Sequence, residues 1–193
     1  MNIALTGFMG TGKSVIGKKL ARKLKMDFCD VDLLIEARKD MRVWEIFAAY
    51  GEERFREIET RIIEEVSDRK ECVISCGGGV VLNPKNIEFL RKNSLIVNLF
   101  ADPAAILKRV KGDHNRPVLE GPFPTKTKIK ALLASRHAAY SNCDFALDTT
   151  RITTSQAAIA ISIFYRRFFV KPIKRKKRKP APSKKSAPKR RKI

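Results

Sequence analysis

Histidine is nearly absent from this chain of 193 residues, which holds only His114 and His137. Its four cysteines, Cys29, Cys72, Cys76 and Cys143, include no Cys-x-x-Cys pair, so the ligand spacing of a structural zinc site is missing. Reduced thiols in a reducing compartment are the expectation. Long apolar runs are missing too: none approaches the roughly 18 residues that a membrane span requires. The chain starts on a strand-like segment and not on a charged region followed by a leader, which predicts a cytoplasmic protein with no membrane association. Acidic residues are missing from 171–193, where 13 of the 23 residues are Lys or Arg. The net charge of +21 is therefore largely terminal, because residues 1–170 set 28 basic side chains against 20 acidic ones.

What remains has the composition of one globular domain. Hydrophobic residues make up 44%, charged residues 32% and aromatics 8%, enough apolar surface for a single core over residues 1–170. Short runs of β-formers alternate with amphipathic stretches. Strands are predicted at 2–6, 27–30, 71–76, 94–100 and 144–147, with helices at 13–24, 84–91, 103–110, 127–140 and 154–168. Such alternation implies a parallel sheet with helices on both faces, since parallel neighbours need crossover connections. A long helical stretch at 33–69 exceeds one simple crossover and reads as an inserted substrate-binding region, most of it within 33–62. Residues 112–125 carry two Gly and three Pro and read as a loop able to fold over a site. From 171 the pattern gives way to Lys, Arg, Pro, Ala and Ser, a composition expected to stay disordered.

The sharpest motif is Gly7-Phe8-Met9-Gly10-Thr11-Gly12-Lys13-Ser14, which fits G-x-x-x-x-G-K-[ST] between a predicted strand and a predicted helix. Glycines let the backbone curl so that successive N–H groups surround phosphate oxygens, and the following helix adds the positive end of its dipole. Gly10, Thr11, Gly12, Lys13, Ser14 and Val15 are the expected nucleotide contacts. Lys13 would reach the outer phosphates and Ser14 would place its hydroxyl on Mg²⁺.

Asp30-Val31-Asp32 stands at the carboxyl end of the second strand, the edge where open α/β sheets present ligands. One acid is expected to approach Mg²⁺ through water and the other an acceptor hydroxyl; the same motif also allows Asp32 to cap a helix starting near Leu33. Gly77-Gly78-Gly79 follows the third strand at the same edge, either as a close approach of backbone to a ligand or as a tight turn. Arg56, Arg116 and Arg136 are individually indistinguishable from surface arginines.

Taken in order, residues 7–14, Asp30-x-Asp32, Gly51-Glu52-Glu53-Arg54-Phe55-Arg56-x-x-Glu59, the Gly77 to Gly79 triplet, Arg116-Pro117-Val118-Leu119 and Arg136 with Tyr140 four residues on form a series that resembles shikimate kinase. The likeness covers about residues 1–168. It implies a P-loop, nucleoside-monophosphate-kinase-like three-layer sandwich with a five-stranded parallel sheet, and Mg²⁺-dependent transfer of the ATP γ-phosphoryl group to the 3-hydroxyl of shikimate. It also implies roles. Lys13, Asp32 and Arg116 would be catalytic, with Asp32 orienting the attacking hydroxyl and Arg116 closing with the 112–125 lid. Arg56 and Arg136 would clamp the substrate carboxylate, Gly78 and Gly79 would offer backbone N–H groups, and Glu59 would steady an arginine or a substrate water. Ser14 would hold the metal directly, with Asp30 and Ser75 acting through water, while Arg109 and Arg151 would flank the adenine. A monomer is implied.

Two features depart from the resemblance. Val118 stands where Leu commonly follows the lid proline, a mild exchange. The basic extension matches nothing in the family's chemistry, and the expectations for it are a solvated segment without a partner or weak, nonspecific polyanion binding. The competing acceptors for a P-loop kinase of this size are gluconate and a nucleoside monophosphate.

Overall fold

The computed structural model describes residues 1–110 and 125–169. Arg116 and nearly all of the expected lid, and the basic extension from 170 onward, lie outside the described residues. Five strands form one parallel sheet: β1 (Asn2–Thr6), β2 (Asp27–Asp30), β3 (Cys72–Ser75), β4 (Ser94–Phe100) and β5 (Phe145–Asp148). Their spatial order is β2-β3-β1-β4-β5. β1 is central, pairing Ile3 with Val73 on one side and with Leu95 on the other.

The sheet is covered on both faces, and side-chain alternation sorts its residues between them. Ile3 and Leu5 of β1, Val73 of β3, and Leu95, Val97 and Leu99 of β4 pack with Ile16 and Leu20 of α1 (Lys13–Leu24) and with Ala157, Ala158 and Ile161 of α8 (Thr154–Phe169). Ala4, Ile74 and Ile96 face the opposite layer. There they meet Ile35 of α2 (Val31–Lys39), Ile46, Ile62, Ile63 and Val66 of α3 (Val43–Ser67), and Leu90 of α4 (Pro84–Arg91). Ile106 of α5 (Pro103–Val110), Ile129 of α6 (Lys126–Ser135) and Tyr140 of α7 (His137–Ser141) extend the same core. The three-layer α/β sandwich expected from the sequence is therefore present.

Two local expectations need correction, and a third, the helical stretch at 33–69, is present with a break inside it. The helix after β2 begins at Val31, not near Leu33, so its cap is Asp30, whose carboxylate accepts from the Leu33 N–H at 3.5 Å; Asp32 sits in the first turn. The stretch 33–69 is two helices, α2 ending in a left-handed cap at Asp40 and α3 bent where Gly51 adopts φ 77°. The single helix expected at 127–140 is broken at Arg136, whose φ of −104° and ψ of 1° leave the helical region between α6 and α7. Periodicity saw apolar spacing continuing across each break and could not register one non-helical residue.

Candidate active site

Residues 7–12 connect β1 to α1 with Gly7, Gly10 and Gly12 all at positive φ, a path closed to ordinary side chains. Gly7 has a second constraint, since a Cβ there would collide with the Leu99 carbonyl of β4. The Thr11 hydroxyl donates to the Phe8 carbonyl at 2.7 Å, and Lys13 Nζ donates to the carbonyls of Gly7 at 2.8 Å and Phe8 at 3.1 Å, pinning the curl. Gly12 is the N-cap of α1 and has no side chain to occupy the first-turn N–H groups, which are left for an anion at the positive helix end.

A cavity of about 500 Å³ runs along this loop from Met9 to Ile16. One wall is built by the turn after β5 and by α5: Thr149, Ile152, Thr154 and Arg109. Arg109 holds these parts together by donating to the Thr149 carbonyl at 2.6 Å, the Thr149 hydroxyl at 3.2 Å and the Gly10 carbonyl at 3.3 Å. The Thr149 hydroxyl lies 3.1 Å from the Thr11 carbonyl, so the wall is tied to the loop itself. Thr149 and Ile152 escape sequence reasoning because no motif marks them; their only signal is position after the carboxyl end of a parallel strand. Arg151, expected beside Arg109, is exposed and outside this lining.

The cavity's other end reaches Asp32, Ser75, Cys76 and Gly78. Ser14 Oγ lies 3.4 Å from Ser75 Oγ, and Ser75 is the register partner of Asp30 on β2, which brings three hard oxygen donors to one edge. Beyond them the Gly77 to Gly79 turn acts as a hub. A Cβ on Gly77 would come within 2.7 Å of Asp32 Oδ1 and 2.8 Å of Glu59 Oε1, and one on Gly79 would collide with the Arg56 guanidinium. Tyr140 donates its hydroxyl to the Gly78 carbonyl at 2.6 Å. Arg136, at the α6–α7 break, holds its guanidinium 6.0 Å from the centre of the Phe8 ring and also acts electrostatically on Tyr140. Asp32, Arg56, Gly78, Gly79 and Arg136 thus gather from α2, α3, the turn after β3 and the α6–α7 junction around one place beside the phosphate loop.

The electrostatics of that place are unusual for carboxyl groups. Burial pushes Asp32 up to about 6, helped by the Asp30 carboxylate and opposed by the Lys13 ammonium. Burial also pushes Glu59 up to about 7 against the pull of Arg56, which donates to Glu59 Oε2 at 2.8 Å. Arg56 is held from the other side by Glu52 at 2.9 Å, while Glu59 Oε1 is buried with no hydrogen-bond partner among the described residues. A buried acceptor left unpaired carries a desolvation cost that a ligand hydroxyl or water could relieve.

A phosphate loop, a nucleotide-sized cavity and a cationic pocket bearing a carboxylate define a P-loop small-molecule phosphotransferase. Comparisons sharpen this. A family model described as shikimate kinase matches residues 9–165. The chain is 46% identical over 157 residues to a shikimate kinase of Caldicellulosiruptor bescii, covering 81% of this chain and 91% of that one. It is 43% identical over 165 residues to one of Geobacter sulfurreducens, covering 86% and 91%. A shikimate kinase from Acinetobacter baumannii solved in complex with shikimate superposes with a TM-score of 0.83 at 32% identity, covering 88% of this chain and 95% of the other. The chain belongs to the shikimate kinase family, enzymes that transfer the γ-phosphoryl group of ATP to the 3-hydroxyl of shikimate on the route to chorismate. Gluconate and nucleoside monophosphates are not favoured as acceptors by these matches. Arg116 keeps only the role that the resemblance implies, because it lies outside the described residues.

Proposed function

We propose that ATP lies along the cavity with its phosphates over the N–H groups of residues 10–15 and Lys13 on the outer phosphates, while shikimate sits against the glycine hub with its carboxylate between Arg56 and Arg136. The observation that carries this assignment is the convergence of Asp32, Glu59, Arg56 and Tyr140 on residues 77–79, immediately beside the phosphate loop. Two planar guanidinium groups suit a carboxylate better than a hydroxyl or a base edge. Arg56 is preorganised by Glu52 and Glu59 and packs 5.3 Å from the Phe55 ring centre, so little rotamer freedom is lost when the anion arrives.

Asp32 orients the 3-hydroxyl and accepts its proton as the oxygen bonds to phosphorus. The bond from phosphorus to the β-bridging oxygen breaks and ADP leaves. Lys13, close enough to Asp32 to lower its pKa, spans the two halves of the site and neutralises charge on the transferring group. The hydroxyl of Ser14 fits a hard cation, with Ser75 and Asp30 alongside to act through water, and Mg²⁺ held there would offset phosphate charge. Asp30 spends one oxygen on capping α2 and keeps the other free of that bond.

Mg-ATP turnover with shikimate tests the reading. Asp32→Asn keeps the shape and removes the base; we expect kcat to fall by about 10²- to 10⁴-fold with the shikimate KM changed by only a few-fold. An unaltered kcat would remove Asp32 from the reaction.

A further inference from the structure

We propose that Thr149 is a positioning residue for phosphoryl transfer, its hydroxyl holding the Thr11 carbonyl so that the Gly12 N–H is aimed at the phosphates of ATP. This role rests on those phosphates lying over residues 10–15, the placement already proposed. Thr149 is the first residue beyond β5 and is 3% exposed. It belongs to a different segment from the loop whose shape it would set.

The Thr149 hydroxyl stands where three segments meet. Arg109 of α5 donates to it at 3.2 Å, the Phe100 carbonyl at the end of β4 lies 3.0 Å away, and the Thr11 carbonyl of the phosphate loop lies 3.1 Å away. A hydroxyl has one hydrogen to give. The Phe100 carbonyl already receives the Thr149 N–H at 2.8 Å, which carries the β4–β5 pairing one step beyond the strand. The Thr11 carbonyl stands one residue before the Gly12 carbonyl, where α1 begins its own ladder by accepting the Ile16 N–H at 2.9 Å. The hydroxyl hydrogen therefore gains most at Thr11, and the Arg109 cation bonded to its oxygen makes it a stronger donor.

Peptide planarity turns this contact into a direction. The Thr11–Gly12 peptide is trans, and in a trans unit the carbonyl and the following N–H point opposite ways. Drawing the Thr11 carbonyl onto the wall turns the Gly12 N–H away from that wall, to join the uncapped N–H groups of the first turn of α1. The preceding carbonyl is treated alike. Arg109 donates to Gly10 at 3.3 Å, and Val110 packs so closely that a Cβ on Gly10 would come within 2.8 Å of its Cγ1. Gly10 and Gly12, at φ 76° and 98°, gain their positive φ at the cost of backbone freedom, which outside contacts must remove before an anion arrives. The loop's own bonds, from the Thr11 hydroxyl and Lys13 Nζ, go to the carbonyls of Gly7 and Phe8 and leave this peptide to Thr149. A tie that merely closed the sheet would need no hydroxyl, since the backbone N–H of residue 149 makes that bond with any side chain but proline.

The test is calorimetric titration of the full chain and of its Thr149→Val, Thr149→Ser and Lys13→Ala variants with ADP, AMP and shikimate. Gly12 adjoins Lys13, so its N–H serves an outer phosphate that ADP keeps and AMP lacks. Thr149→Val fills the same space without the hydroxyl and should weaken ADP about fivefold, the worth of one hydrogen bond, while AMP and shikimate change by less than about twofold. Thr149→Ser keeps the hydroxyl and drops the methyl group, and should hold ADP within about twofold of the native affinity. In turnover the ATP KM of Thr149→Val should rise about fivefold with the shikimate KM unmoved. Lys13→Ala should weaken ADP about tenfold or more. If it does so while Thr149→Val binds ADP as the native chain does, the role given to Thr149 is wrong and the placement of the phosphates stands. If Lys13→Ala leaves ADP unaffected, that placement falls and this role with it. Loss of AMP or shikimate affinity as large as that of ADP in Thr149→Val, or a loss in Thr149→Ser equal to that in Thr149→Val, would mark a general packing role and overturn the proposal.

Discussion

The two ends of the catalytic cavity are built from different materials. The end along the phosphate loop is made of backbone: a contiguous run whose glycines adopt positive φ and whose one charged side chain is Lys13. The proposed acceptor end is made of side chains from α2, α3 and the α6–α7 region around a glycine turn, and it buries carboxyl groups away from water, with Asp32 raised to about 6 and Glu59 to about 7. A backbone cradle is specified locally and tolerates change around it. A buried charge cluster depends on every member, because removing one leaves another unpaired.

That contrast predicts where the site breaks. The largest effect is with pH. Asp32 must be ionised to accept a proton, and its pKa is raised, so kcat/KM for shikimate should fall about tenfold per unit below pH 6 and level off above it; the limb should vanish in Asp32→Asn. The same shift has a stability consequence of opposite sense. The folded state binds the proton more tightly than the unfolded chain, so the contribution of Asp32 to stability is greatest at low pH and is lost as pH rises from about 4 through 6. Denaturant midpoints of the native chain and Asp32→Asn at pH 4 and pH 7.5 measure it.

Next in size is Gly79→Ala. A methyl group there meets the Arg56 guanidinium, so the clamp must move, and the shikimate KM should rise about 10- to 100-fold while the ATP KM stays within two-fold. Tyr140→Phe is smallest. It removes one bond to the Gly78 carbonyl and should raise the shikimate KM about fivefold with kcat nearly intact. A change in the ATP KM of equal size in either variant would mean that the two ends are one coupled unit.

The same contrast explains what could be read before the fold was seen. Gly7 to Ser14 is a contiguous pattern between a strand and a helix, and it lies where that pattern requires. Much of the sheet was legible because the buried parallel strands β1, β3 and β4 read as short apolar runs, and β1, β2 and β4 have the expected bounds. The acceptor cluster was legible only through family resemblance, since nothing local separates Arg56 from Arg54 or Arg61. What brings Arg56 inward is its pairing with Glu52 and Glu59 on one helical face and the missing side chain at Gly79. The role of Asp30 as the cap of α2 and the break at Arg136 were hidden, because each rests on the backbone angles of one residue. Thr149 was hidden because its work, joining Arg109 to the phosphate loop, involves backbone carbonyls that carry no residue identity.

The proposed acceptor site requires that Arg56 and Arg136 read a carboxylate. Comparing kcat/KM for shikimate with that for its uncharged carboxamide, in the native chain and in Arg56→Ala and Arg136→Ala, isolates that contact. Loss of the acid charge should cost the native enzyme about 10²-fold or more, and each arginine variant should lose most of that preference for the acid. If both variants discriminate acid from amide as strongly as the native chain does, the carboxylate is held elsewhere and the acceptor site proposed around residues 77–79 is wrong.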